Sequence, residues 1–318
     1  MSPLKMWTNY PKPRLVISAC LLGENTRYDG NPIVFPLIQK LSKFCEFVKV
    51  CPEVDIGLPV PRDRIIVYRK EEKLGVFQPA KKKDLTEEML NFSKKFLENL
   101  KDIDGFLLKS RSPSCGVSGT RWYKDREGTF PIGRGKGLFA IEAEKMFPEI
   151  PVEDDGRLHD PFIRENFLTK IFSLADLREF STTAESLKDL IVFHQRYKYL
   201  LMSYSPEGLK KLGQLVASGN KFPFNQTLQK YKTLFKKVLS QPPTKGKVTN
   251  VFLHVFGHFS SKLTPGEKKH FLWLIERYKK GKVSKNTLLE ILRAWTFRFE
   301  DHYLKNQVFL NPYPLELE

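Results

Sequence analysis

Short apolar runs alternate with helical patterns through the first half of this chain, and then the strand pattern stops. LVISA (Leu15–Ala19), FVKV (Phe47–Val50), GFLLK (Gly105–Lys109) and IPV (Ile150–Val152) read as strands. Between them Ile33–Phe44, Leu85–Leu100 and Leu138–Met146 carry helical spacing. Asp84 and Thr86 are placed to cap the second of these, and Gly137 precedes the third. Strands separated by helices predict βαβ units, and hence an α/β N-terminal domain with a mainly parallel sheet.

Three of the four cysteines sit just past those strands. Cys20 closes RLVISAC, Cys51 closes EFVKVC, and Cys115 lies in SPSCG shortly after GFLLKS. In an open parallel sheet, ligand sites form outside the carboxyl ends of the strands, so thiols distant in sequence have a place to meet. Three thiolates at one point suit a soft metal or an iron–sulfur cluster. Three rather than four leave one coordination position open. The spacing is not the C-x-x-C of a zinc finger or bacterial ferredoxin, and three separately buried thiols account for it equally well. Cys45, in KFCEF beside aromatics, reads as a small core residue. Taken alone, Glu53 reads as a cap or surface carboxylate, and Ser112 as a turn hydroxyl. GRGKG, Gly133 to Gly137, precedes a helix, where glycines and Lys136 can cradle an anion or serve as a plain connector.

Residues 150–161, IPVEDDGRLHDP, are polar, acidic and bounded by proline, and read as a linker. The domains are therefore expected at 1–155 and 156–318, the second an all-α C-terminal domain. Its expected helices are Phe162–Phe172, Ala184–Ser203, Pro206–Ser218, Asn225–Ser240, Val248–Lys262, Gly266–Lys279 and Lys285–Lys305. Charge separates the halves. Residues 1–160 hold 27 Lys/Arg against 23 Asp/Glu, and residues 161–318 hold 26 against 13, so the second half carries most of the net +17. A field of one sign concentrates polyanions, although a solvated basic face has the same composition. Lys210, Lys211, Lys236 and Lys237 are candidate phosphate contacts. On one expected helix His194, Arg196, Tyr197, Lys198 and Tyr199 interleave basic and aromatic residues, as in RNA-binding surfaces, or else supply core tyrosines. Asn250, His254 and His258 share a helix face, with no Glu or Cys to complete a metal site. No apolar run approaches the ~20 residues of a membrane helix. The start, MSPLKMWTNYPKPR, lacks a secretory apolar stretch. Four cysteines in 318 residues do not suggest a disulfide scaffold. The expectation is a cytoplasmic protein with no membrane partner.

SACLLG, RYDG, CPE-x-x-x-GLP-x-PR and K-x-x-SPSCG together resemble the TudS-type thiouracil desulfidase family. FHQRYKYLLMSYSP, LGQLVA, NVFLHVFGHF and YLKNQVFLNPYP resemble the YbgA-like helical domain often fused to it. The fused arrangement resembles the RudS group, which removes sulfur from 4-thiouridine in transfer RNA. The resemblance runs from about Arg14 to Pro314. It implies that Cys20, Cys51 and Cys115 hold a [4Fe–4S] cluster whose fourth iron takes the substrate sulfur. Glu53 matches the catalytic acidic residue that activates water, and Ser112 matches the active-site serine. The implied activity is non-redox hydrolysis of a C–S bond in transfer RNA containing 4-thiouridine, giving uridine and sulfide. A free thiouracil or thiouridine nucleotide is the alternative substrate, and a noncatalytic RNA-binding protein with a structural metal is the alternative from another class.

Overall fold

Leu15, Val16 and Ile17 are fully buried in the computed structural model, which describes residues 10–33 and 35–318. A strand apolar on both faces belongs inside a covered parallel sheet, and each such side chain gains about 1.5–3 kcal/mol from burial. Residues 1–9, part of the start read above for a leader, and Val34 in the first expected helix lie outside the described residues. The chain folds as two compact units. One runs through Asp176 and takes back Tyr313–Glu318; the other is Leu177–Pro312.

The first unit contains, in chain order, β1 (Arg14–Ser18), α1 (Pro36–Leu41), β2 (Glu46–Val50), α2 (Pro52–Asp55), β3 (Ile66–Lys70), β4 (Lys73–Gln78) and β5 (Lys83–Asp84). There follow α3 (Thr86–Glu98), β6 (Gly105–Leu108), β7 (Thr120–Tyr123), β8 (Pro131–Gly135), α4 (Leu138–Met146), β9 (Val152–Asp154) and the start of α5 (Pro161–Thr183). One sheet has the order β2-β1-β6-β9, and all three pairings are parallel. This is the parallel α/β sheet expected from the alternation of strands and helices.

The second sheet, β5-β4-β3-β7-β8, has no counterpart among the strands expected from sequence. It is mixed: β3 pairs antiparallel with β4 and parallel with β7, and β7 pairs antiparallel with β8. Its strands mix apolar and charged residues without a regular alternation, and β3 and β4 are joined by Glu71–Glu72. Glu71 takes a left-handed φ of 54°, without the Gly or Asn that marks such a turn in a sequence. Residues 150–161 are likewise not a free linker. They supply β9 and a 3-10 turn, Arg157–His159, and bury Asp154, whose Oδ1 accepts the Arg157 N–H at 2.8 Å. The C-terminal Tyr313 and Leu317 join the core around Leu15, Ile17, Leu41 and Phe172.

The second unit is helical throughout: the end of α5, then α6 (Leu187–Tyr204), α7 (Pro206–Ala217), α8 (Phe224–Ser240), α9 (Lys245–Phe259), α10 (Pro265–Lys279), α11 (Lys285–Arg298) and α12 (His302–Lys305). Complete capping boxes start α6, from Ser186 and Asp189, and α10, from Thr264 and Glu267. Stacked and edge-on rings fill its core, with Phe180–Phe193 centroids 4.3 Å apart and Tyr197–Phe235 5.0 Å apart. The helix expected over Lys285–Lys305 breaks in two. Glu300 turns left-handed at φ 50°, and Asp301 restarts the chain as a cap, its Oδ1 accepting the Leu304 N–H at 2.8 Å.

Candidate active site

The strand order decides which cysteines meet. Strand β1 lies between β2 and β6, and all three run the same way, so their carboxyl ends are neighbours on one edge. Cys20 follows β1, Cys51 follows β2 and caps α2, and Cys115 sits in the turn after β6. All three are free thiols lining one cavity of about 760 Å³, together with Glu53, Ser112 and Ser114. Cys45 does not line it and packs in the core beside Leu41 and Phe44.

Burial pushes the Cys20 thiol up to about 12, with Cys51 adding to the rise. Burial also raises Cys115, more than a hydrogen bond from Ser18 lowers it, and both other thiols raise it further. Cys51 is raised by burial and partly relieved by the Val54 N–H. The thiols therefore share one electrostatic neighbourhood, which disfavours three thiolates unless positive charge joins them. Among the described residues no three Cys, His, Asp or Glu side chains are close enough to chelate one metal ion. Two buried polar atoms of the cavity wall, Thr26 Oγ1 and Asp154 Oδ2, also have no hydrogen-bond partner among the described residues. Burial raises the Asp154 carboxyl, and the Arg157 N–H offsets part of that rise. Three soft donors in a cavity with orphaned polar groups fit an iron–sulfur cluster and a polar ligand beside it.

Glu53 sits in the first turn of α2 and is 8% exposed. Arg62, with a side chain 3% exposed, forks onto Glu53 Oε2 through Nη2 at 2.6 Å and Nε at 3.0 Å. Arg62 Nη1 also donates to the Thr26 carbonyl at 3.1 Å, tying the Thr26 loop to α2. The other carboxylate oxygen, Oε1, accepts the Ser114 hydroxyl at 2.8 Å and the Ser112 hydroxyl at 3.2 Å. Ser112 Oγ in turn accepts the backbone N–H of Cys115 at 3.1 Å and of Ser114 at 3.2 Å. The Ser112–Cys115 turn is held from behind by the start of α4. Leu138 N donates to Pro113 O at 3.1 Å, Ala140 N to Ser114 O at 3.2 Å, and Gly137 N to Gly116 O at 2.8 Å. Lys109 closes another wall, with Nζ 2.6 Å from Asp155 Oδ2.

Arg62, Ser114 and Lys109 stand inside the motifs quoted above, yet their roles were not read from them. The partners of Ser114 and Lys109, Glu53 and Asp155, lie in other segments, and Arg62 meets Glu53 of its own motif only because the chain turns back between them. The RNA-contact candidates fare differently. Lys136 is half-buried and paired with Glu144, and the glycines around it serve close packing. A Cβ on Gly135 would fall 2.1 Å from the Trp122 ring. Tyr197 and Tyr199 are core, so they offer no stacking face to RNA. Arg196 is half-buried against the Phe193 and Tyr197 rings, and Lys198 is exposed beside Tyr199. Lys210, Lys211 and Lys237 are exposed and Lys236 is half-exposed; Lys211 pairs with Glu207. His258 bonds Tyr199 OH at 2.7 Å, a structural contact for the histidine stripe.

Known families match both halves of the chain. The family described as 2-thiouracil desulfurase matches residues 15–155, the segment that supplies every wall of the cavity up to Asp154. The protein YbbK of Bacillus subtilis (strain 168), itself described as uncharacterized, is 33% identical over 109 residues, which is 32% of this chain and 72% of YbbK. The chain belongs to the 2-thiouracil desulfurase family. The desulfurase segment is joined to a second one. Residues 198–314 match a family described as a protein of unknown function, DUF1722. The uncharacterized protein YbgA of Escherichia coli (strain K12) is 25% identical over 154 residues, 47% of this chain and 89% of YbgA. A solved structure titled [4Fe-4S]-dependent thiouracil desulfidase TudS is 29% identical, covering 47% of this chain and 95% of that one, with a TM-score of 0.36. Among the described residues no helix is long and apolar enough to cross a membrane.

Proposed function

We propose that this desulfurase removes the sulfur of 4-thiouridine in transfer RNA by hydrolysis, giving uridine and sulfide. The observation that carries the reading is the convergence of Cys20, Cys51 and Cys115 with Glu53 and Ser112 on one cavity. A [4Fe–4S] cluster held by the three thiolates would supply soft Lewis-acid polarisation of a thiocarbonyl sulfur. The protein groups divide the remaining work. Arg62 occupies Glu53 Oε2 and fixes the carboxylate plane, so Oε1 is the oxygen that takes a proton from water at the cavity. Ser112 and Ser114 orient Oε1, and the two backbone N–H groups on Ser112 Oγ hold that hydroxyl in place. Water oxygen bonds to the ring carbon as the carbon–sulfur bond breaks. Its protons pass to Glu53 and on to the departing sulfide, with no change of oxidation state.

The family description names 2-thiouracil, and a cavity of about 760 Å³ lies in the range of small-molecule sites, roughly 300–1,000 Å³. The basic second half favours the polymer, because a free base needs no such field. Anaerobic reconstitution with iron and sulfide, followed by nucleoside analysis of thiolated transfer RNA, tests the assignment. Loss of 4-thiouridine with matching uridine and sulfide is expected. Turnover of free 4-thiouracil alone would assign the small-molecule reaction instead. Reversing Lys210, Lys211, Lys236 and Lys237 together is expected to weaken transfer-RNA binding and flatten its salt dependence; unchanged affinity and slope would remove the helical unit from recognition.

A further inference from the structure

The cavity does not end at the cysteines. It opens onto a second groove of about 440 Å³ along β3, β7 and β8, and the two share Tyr28, Arg64, Arg111 and Arg134; Arg121 lines the groove alone. Among the described residues no Asp or Glu lines the groove. The other basic side chains at the cavity have acidic partners: Arg62 with Glu53, Lys109 with Asp155, Arg157 with Glu153, and Arg27 with Asp29. Arg64, Arg111, Arg121 and Arg134 are exposed and form no ion pair with any described residue. Two of them violate a rule of sheet pairing. Arg121 and Arg134 are direct cross-strand partners on β7 and β8, and like charges placed opposite one another destabilise a sheet. Arg111 is held at a left-handed φ of 59°, a conformation a non-glycine side chain adopts at a cost. At the join of the two cavities stands Tyr28, 53% exposed, with the Arg27 guanidinium 5.8 Å from its ring centroid.

We propose that this groove binds the phosphate backbone of a nucleic-acid strand next to the nucleotide in the inner cavity, with Tyr28 stacking on a base. Four arginines without counter-charges supply the phosphate contacts, because guanidinium forks match phosphate geometry. The aromatic face among them selects a base-bearing polyanion over a bare one. The desulfurase unit thus grips its polymer itself, apart from any contribution of the helical unit. The groove's role as a substrate path rests on the desulfidase reading of the inner cavity; its binding of nucleic acid does not.

The test uses the full-length reconstituted protein and an unmodified transfer-RNA transcript as the anisotropy probe, which carries no thiouridine. Binding is measured between about 50 mM and 200 mM salt. The triple variant Arg64→Gln, Arg121→Gln, Arg134→Gln is expected to lose about tenfold or more in affinity, and its salt slope to fall by about two. The matching Arg→Lys triple is expected to recover the slope. Tyr28→Ala is expected to weaken RNA binding about five- to a hundredfold. Linear polyphosphate, the second probe, is expected to bind more weakly than RNA and to be little affected by Tyr28→Ala. Wild-type affinity and slope in the Gln triple would overturn the groove. A Lys triple as weak as the Gln triple would overturn the role of charge. Polyphosphate binding as tightly as RNA would overturn nucleic acid as the occupant. Failure of sulfide release with RNA binding intact would sink the desulfidase reading and leave the groove standing.

Discussion

Glu53→Gln is expected to lower the rate constant for sulfide release about 10²- to 10⁴-fold, the usual worth of a positioned general base. Iron bound after anaerobic reconstitution is expected to stay near the wild-type level, since the three thiols remain. The loss has two physical parts. An amide cannot accept the proton that Oε1 takes from water. The carboxylate also receives donors at both ends, from Arg62 on Oε2 and from Ser112 and Ser114 on Oε1. An amide NH₂ at either end meets donors with a donor. Removing the charge leaves the Arg62 guanidinium buried without a counter-charge, and breaking such a pair costs about 3–5 kcal/mol. A denaturant titration should therefore show reduced stability alongside the kinetic loss, and assays well below the unfolding midpoint separate the two. Wild-type turnover by a fully iron-loaded Glu53→Gln protein would refute the catalytic assignment.

Gly137→Ala is the second large expected effect, and it acts at a distance from the chemistry. Gly137 has ordinary extended dihedrals, φ −81° and ψ 161°, so backbone conformation does not demand glycine there. Space does. A Cβ would lie 2.4 Å from the Ser114 carbonyl oxygen and 2.6 Å from that of Pro113. These are backbone atoms already bonded to the start of α4, and they cannot swing aside as a side chain can. Relief requires the Ser112–Cys115 turn to move away from α4, taking a cysteine and the serine hydroxyl with it. Overpacking of this kind costs about 1–3 kcal/mol. A displacement near 1 Å at reacting groups lowers rates by about 10²-fold. Iron content by absorbance, sulfide release and thermal melting would read these together. A Gly137→Ala protein with normal iron content and turnover would show that the turn is not braced by α4.

The residues of the site were legible one by one, and their partnerships were not. Cys20, Cys51 and Cys115 stand out because each follows an apolar strand, a local signal. Glu53 and Ser112 became functional candidates through motifs, since a carboxylate after a cysteine or a hydroxyl in a turn has many ordinary uses. Arg62 lies nine residues past Glu53, beyond a chain reversal that no periodicity announces. The second sheet escaped notice for a related reason. Its strands mix apolar and charged residues without a regular alternation, and its hairpin turns on Glu71 rather than on glycine or asparagine. The helix expected over Lys285–Lys305 hid a break because Glu300 is a common helix residue and a single Asp is a weak stop signal, while the left-handed turn at Glu300 separates α11 from α12.

The amino-acid sequence by itself determined the two kinds of architecture, the strands that carry the cysteines and the basic bias of the second half, because hydrophobic period and charge are local properties of a chain. Tertiary structure alone decided that β1 lies between β2 and β6, that Glu53 meets Arg62 and two serines, and that Arg64, Arg111, Arg121 and Arg134 form one wall. Those facts depend on which strand lies beside which, and strand pairing is set by burial summed over the whole unit rather than by any one segment.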